Sequence, residues 1–247
     1  MSDLVIVSDE GPVRTIRMNR PEKKNALTMA MYDAMAKGIE TAGENQRCLL
    51  IGGAPTVFCA GNDIGDFLKA ATGGGLGEPI LRFLHALARC EKPIVAAVQG
   101  NAVGVGTTML MHCDHIVAST EARFSTPFVS LGLVPEAASS LIAPRLMGQA
   151  RAFSLLVMGK PLNAEEAKEA GLVNVIAPPE QVEVEAMKSA LAIAALPPQA
   201  VLASRRLMRG SPDEIDARID AEAEEFKARL KSPEAQAAFM AFMSRKR

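Results

Sequence analysis

The sequence predicts an α/β protein that ends in an all-helical C-terminal region, and three observations carry that prediction. Short apolar, β-rich runs alternate with stretches of helical periodicity as far as residue 176. Two of the runs end in glycine-bearing turns, FCAGNDI at residues 58–64 and GNAVGVG at residues 100–106, the punctuation expected where strands lead into helices. Beyond Pro178 the strand signals stop, and helical patterns opened by Pro198, Pro212 and Pro233 run to the end. The expected division is a core of residues 1–187 and a helical region of residues 188–247.

Taken in order, residues 4–7 and 13–18 form a hairpin about the turn Asp9-Glu10-Gly11-Pro12. The proline-broken stretch NRPEKKNALT follows, and Thr28 caps an amphipathic helix over 29–42. Residues 48–51 make a buried strand, and the apolar run 57–60 leads into Gly61-Asn62-Asp63-Ile64. The glycine-rich stretch 70–77 reads as a flexible edge of a pocket. A helix over 79–88 places Ile80, Leu84 and Leu87 on one face, and residues 94–98 return as a strand. Helices are expected over 137–147 and 151–158, then over 164–170 between the cap Asn163 and the stop Gly171. After a strand at 172–176, four helices span 180–195, 198–208, 212–230 and 233–243. Leu207, Met208, Phe226, Phe239, Met240 and Phe242 give these helices more apolar surface than a solvated tail needs, so part of it should meet a partner subunit or cover a site.

A formal net charge of −1 on 247 residues removes the electrostatic case for nucleic acid. Cys48, Cys59, Cys90 and Cys113 lack CxxC spacing and sit in or beside apolar runs, so they read as buried reduced thiols and not as metal ligands. The N-terminus lacks the basic and long apolar segments of a targeting peptide, and no apolar run reaches membrane-spanning length; the expectation is a cytoplasmic protein without a membrane segment. His112 and His115 flank Asp114, a spacing poor for ligands on one helix face, so no metal site is expected. His85 reads as a packing or surface residue, and Arg205, Arg206 and Arg209 as a solvated basic stripe.

The segments FCAGNDI, KPIVAAVQGNAVGVG, CDHIVAS and FSTPFVSLGLVPE resemble the enoyl-CoA hydratase/isomerase (crotonase) superfamily over nearly the whole chain. GNDI, TPFVSLGLVPEAASS and the ending FKARLKSPEAQAAFMAFMSRKR are most similar to the peroxisomal-type Δ3,Δ2-enoyl-CoA isomerases. The resemblance implies a spiral of ββα units, a C-terminal helical region that forms a homotrimer or hexamer, and an acyl-CoA thioester as substrate. Coenzyme A would then belong to the substrate, and no separate cofactor is implied. The implied oxyanion donors are the N–H groups of Ala60 and Val105. Residues Ala60, Gly61, Asn62, Asp63 and Ile64 would line the coenzyme A channel, with Lys23 and Lys24 near its phosphates. On charge patterning alone the two lysines form a solvated turn, Asp63 a turn cap, and Cys59 a small buried hydrophobe.

Hydration of a double bond is served by two carboxyl groups. By resemblance those would stand at Thr108 and Phe128, neither of which can act as a base near neutral pH. Moving a double bond from position 3 to position 2 asks for one base, and Glu136 matches the single catalytic glutamate of the isomerases. From position alone Glu136 also reads as a carboxylate favoured at a helix N-terminus. Its setting between FSTPFVSLG and ASS favours the base, although Ala137 stands where the family often has glycine. The expected function is therefore an enoyl-CoA isomerase. The alternatives are a hydratase or another crotonase-type reaction, and a non-catalytic acyl-CoA-binding protein.

Overall fold

The computed structural model describes residues 4–54, 56–63, 65–66 and 77–244. Ile64, the glycine-rich residues 70–76 and the side chain of Phe242 lie outside the described residues. The strands are β1 (Val5–Glu10), β2 (Val13–Met18), β3 (Cys48–Gly53), β4 (Ile94–Val98), β5 (Asn101–Val103), β6 (His115–Ser119), β7 (Arg123–Ser125), β8 (Leu162–Asn163) and β9 (Val175–Ala177). The helices are α1 (Met29–Glu40), α2 (Glu78–Arg89), α3 (Val105–Thr108), α4 (Ser139–Met147), α5 (Gln149–Leu156), α6 (Ala164–Glu169), α7 (Val182–Ala195), α8 (Pro198–Arg209), α9 (Pro212–Leu230) and α10 (Pro233–Ser244).

The main sheet runs β1-β2-β3-β4-β6-β9, parallel except for the β1–β2 hairpin. That hairpin turns on Gly11-Pro12 alone, since Glu10 already pairs with Val13, so β1 reaches further than the expected 4–7. Strands β3 and β4 are buried along their whole length, which is why their sequences are unbroken apolar runs. Alternate residues serve opposite faces. Leu49, Ile51, Ile94, Ala96 and Val98 join the core beneath α1 and α2, while Cys48, Leu50, Val95 and Ala97 pack on Val182, Ala186, Ala190 and Ala194 of α7. Alanine at every fourth position lets that helix lie close on the sheet. The expected division after residue 187 thus passes through the middle of α7, which belongs to the sheet as far as Ala194.

A second sheet, β5-β7-β8, stands beyond the first. Strand β4 leads into β5 through Gly100, and β6 leads into β7 in the same way, so successive chain segments contribute one strand to each sheet. The run 57–60 adds only a parallel bridge, Cys59 to Ala102, to the edge of this sheet. The caps are as the sequence predicts: Thr28 accepts from Met31 N, and Asn163 forms a capping box with Glu166. Several boundaries differ, two of them for reasons that the backbone shows. The helix expected from residue 137 starts at Ser139, because Ala137 and Ala138 have φ of 61° and 54°. The strand expected from residue 172 starts at Val175, because the N–H groups of Leu172 and Val173 close α6 onto the Ala167 carbonyl. All four cysteines are free, with Cys48 and Cys59 buried and Cys90 and Cys113 half-buried. Among the described residues, no single helix is long and apolar enough to cross a membrane.

One buried side chain ties the segment after β3 to the loop before α1. Asn25, fully buried and at φ 53°, donates through Nδ2 to the carbonyls of Ala54, Val57 and Phe58, and its Oδ1 accepts from Arg20 N. Replacing it by alanine leaves three carbonyls, two buried and one part-buried, short of a donor. Asn25→Ala is expected to lower the unfolding free energy by about 3 kcal/mol, read from the midpoint of urea denaturation at an unchanged slope.

Candidate active site

The turn 59–63 and the turn 100–106 lie directly against each other. A Cβ on Gly106 would fall 2.8 Å from both Cβ and O of Cys59, and a Cβ on Gly61, itself at φ 88°, would fall 3.1 Å from the Val103 carbonyl. Only glycine permits so close a backbone approach. Within the first turn the N–H groups differ in their fates. Ala60 N–H donates to the Lys24 carbonyl at 3.0 Å, which removes it as the expected oxyanion donor. Gly61 N–H points at Cys59 Sγ at 3.4 Å. Leu27 N–H donates to Gly61 O and Asp63 N–H to Leu27 O, a parallel bridge that turns the N–H of the intervening Asn62 to the opposite side. Among the described residues that N–H has no acceptor, so Asn62 replaces Ala60 as the available donor. Val105 supplies the second: it is the first residue of α3, where an N–H has no intrahelical partner. It is 1% exposed.

Glu136 is 4% exposed. Its Oε1 accepts a hydrogen bond from the hydroxyl of Thr108, itself fully buried on α3. Burial pushes the Glu136 carboxyl up to about 8, a rise opposed by the Thr108 hydrogen bond and assisted by the nearby Glu222 charge. The same group, when ionised, helps raise the Tyr32 phenol and the Cys59 thiol, behind burial in each case, so the three lie within electrostatic reach of one another. Tyr32 OH donates to Asn62 Oδ1 at 2.5 Å and so fixes that residue. Phe128, the other position without a carboxyl, faces Gly104, where a Cβ would meet its ring at 3.9 Å. Thr108 thus touches Glu136 and shares α3 with Val105, while Phe128 lies against the Gly104 that precedes that helix.

The helix-capping reading of Glu136 is replaced by another residue. Glu222, from the distant α9, accepts from Ala138 N at 2.6 Å and Ser140 N at 2.9 Å and thereby satisfies the first donors of α4. Its neighbour Arg218 donates to Ser140 Oγ at 3.1 Å. The Ala137 carbonyl accepts from His112 Nε2 at 2.8 Å, which fixes the ring as the neutral Nε2–H tautomer, and burial lowers that imidazole to about 4. Glu222 escaped the sequence reading. Its only signal there is an acidic residue inside the apolar row Ile215, Ile219, Phe226 and Leu230.

The remaining candidates are placed as follows. Asp63 pairs with Arg20 at 2.8 Å and accepts from the N–H groups of Gly65 and Asp66, so it is the turn cap that its position suggests, held below the usual carboxylate range chiefly by Arg20. Lys23 and Lys24 are exposed on the turn whose backbone is bonded to Ala60. Burial raises the Cys59 thiol to about 12, which rules it out as a nucleophile. Among the described residues, no group of three His, Cys, Asp or Glu side chains could hold a metal ion.

Comparison with known proteins adds four findings. Residues 8–247 match the enoyl-CoA hydratase/isomerase family. The chain is similar to enoyl-CoA delta isomerase 2 of Rattus norvegicus, 36% identical over 98% of this chain and 64% of that relative's length. It is also similar to the short-chain-enoyl-CoA hydratase of Clostridium acetobutylicum, 33% identical over 98% of this chain and 95% of the relative. Among solved structures, an enoyl-CoA hydratase/isomerase from Pseudoalteromonas atlantica T6c superposes with a TM-score of 0.92 at 40% identity, covering 98% of each chain.

The two neighbours of the Glu136 carboxyl act on it in opposite directions. Thr108→Val removes the hydroxyl that favours the ionised form, so any rate that depends on ionised Glu136 should need a higher pH. Glu222→Gln removes a nearby negative charge and should shift the same dependence to lower pH. Profiles of kcat/KM against pH for the two variants check both directions.

Proposed function

The chain belongs to the enoyl-CoA hydratase/isomerase family, and from that premise we propose that it moves the double bond of a 3-enoyl-CoA to position 2, with Glu136 as the single base. The observation that carries the proposal is one buried carboxyl, bonded to Thr108 on the helix that Val105 opens, together with the N–H groups of Asn62 and Val105, which have no acceptor among the described residues. Isomerisation needs a base that takes a proton from C2 and returns one at C4. Ionised Glu136 accepts the C2 proton, the electrons pass into the thioester as a dienolate, and the N–H groups of Asn62 and Val105 bind its oxygen. Two such donors matter because losing one costs about 100- to 1,000-fold in rate. Protonated Glu136 then delivers the proton to C4. A carboxyl raised to about 8 suits both halves of this cycle, since neither its acid nor its base form is far from reach near neutral pH.

Substrate binding is proposed along the Asn62-Asp63 turn, with Lys23 and Lys24 near the phosphates of coenzyme A. Leu207 and Met208, 85% and 87% exposed on α8, fit a surface covered by further copies in a trimer. A second reading, hydration of 2-enoyl-CoA, is favoured by the similarity to the Clostridium hydratase. It is weakened by threonine and phenylalanine at the two positions where the resemblance expects carboxyls.

Incubation with 3-enoyl-CoA and 2-enoyl-CoA in parallel separates the two. The expected outcome is a moved double bond and little 3-hydroxyacyl product, with kcat/KM rising with pH to a plateau above about 8. Glu136→Gln should lower turnover by about 100- to 10,000-fold and leave coenzyme A affinity largely intact. Hydration faster than isomerisation, or near-normal turnover by the variant, would overturn the proposal.

A further inference from the structure

A cavity of ≈ 590 Å³ lies at the opposite end of the parallel strands from Glu136. Asp114, at its wall, precedes β6 and accepts from the N–H of Ile94, the first residue of β4, whereas the reacting turns follow the last residues of these strands. Its lining includes five arginines, Arg89, Arg145, Arg205, Arg206 and Arg209, against the carboxylates of Glu91 and Asp114. Two of the arginines are engaged outside the lining, Arg89 with Asp216 and Arg145 with Glu214.

The basic stripe on α8 is therefore not solvated as the sequence suggests. Arg205 is 9% exposed; its Nε donates to both oxygens of Asp114, its Nη1 donates to the Cys90 carbonyl, and its Nη2 is buried with no partner among the described residues. Arg209 follows one helical turn later on the same face, and its Nη1 is likewise buried without a partner. Arg209 is half-buried; burial and the Arg205 charge lower its proton affinity and Asp114 opposes them, so two like charges share one carboxylate that Arg205 already holds. A buried donor left unmade is rare and calls for an occupant. A water molecule accepts hydrogen bonds but does not relieve repulsion between two cations. An oxyanion does both, and arginine forks match its geometry. The cavity also opens on Ser211 and Pro212, the start of the 19-residue helix α9, where the backbone favours negative charge. Ile142, Leu146, Leu202 and Ile215 give it apolar walls and leave room for more than the anionic group.

We propose that Arg205 and Arg209 form a binding site for a small oxyanion, a phosphate or carboxylate group on a compact body, separate from the reaction site. It opens on the helix that carries Glu222.

Inorganic phosphate is the probe, titrated at constant ionic strength with chloride as the balancing salt. Thermal unfolding and calorimetry should show saturable stabilisation of the wild type. Arg209→Met removes a half-buried charge that has only a share of Asp114, so without phosphate it should be as stable as the wild type or more so, and its phosphate response should be lost. Arg209→Lys keeps the charge but loses the fork, and should bind phosphate about tenfold more weakly or worse. No saturable response in the wild type, or an equal response in wild type and both variants, overturns the proposal. So does a fall in oligomeric mass with Arg209→Met and no phosphate effect, since a carboxylate of a second copy would then fill the pair.

Discussion

Burying a carboxyl group at Glu136 is the constraint on which the site depends. Out of water and supported by one hydroxyl, the group keeps its proton to about pH 8, against an ordinary value of 4.5. Linkage gives this a cost in stability. Between those two values the unfolded chain has lost the proton and the folded chain still holds it, so the folded state binds more protons and stability falls as pH rises. Above the folded value the loss is complete and grows no further. A fold under no demand to keep the carboxyl there would have exposed it.

The surrounding backbone is shaped by the same demand. Two successive alanines, Ala137 and Ala138, sit in the left-handed region at about 1–2 kcal/mol each. They persist because the turn is bonded on several sides: His112 donates to the Ala137 carbonyl, Ser139 donates to the Glu136 carbonyl, and Glu222 accepts from Ala138 and Ser140. With Glu222 capping α4, the Glu136 side chain is free to turn inward. The C-terminal helices thus do more than extend the molecule, since α9 holds the turn that carries Glu136. On the facing side, glycines at 61 and 106 bring two turns into backbone contact, and the N–H groups of Asn62 and Val105 have no acceptor among the described residues.

Local chemistry was legible in the sequence and long-range pairing was not. Thr28 and Asn163 cap the helices that they precede, Pro198, Pro212 and Pro233 open theirs, and the β3 and β4 sequences announce their double burial. Thr108 and Glu136, singled out by the family resemblance, are in direct contact. The errors share one cause. Ala60 is the donor that the resemblance implies until the Lys24 carbonyl takes its N–H, and the bridge to Leu27 turns the N–H of Asn62 to the opposite side. Arg205 reads as a surface charge until Asp114, 91 residues away, is found beneath it. Glu222 reads as one more acid on a charged helix until its partners, 84 and 82 residues earlier, are in view. Each of these roles is decided by a contact that no local pattern records.

The central claim is that Glu136 is a neutral, buried acid near neutral pH and ionises only above it. Difference infrared spectroscopy of wild type minus Glu136→Gln, followed from neutral to alkaline pH, reads the protonation of that one group. A protonated-carboxyl band present at neutral pH and lost with a midpoint near 8 is the predicted result. A carboxylate already ionised at neutral pH would contradict it.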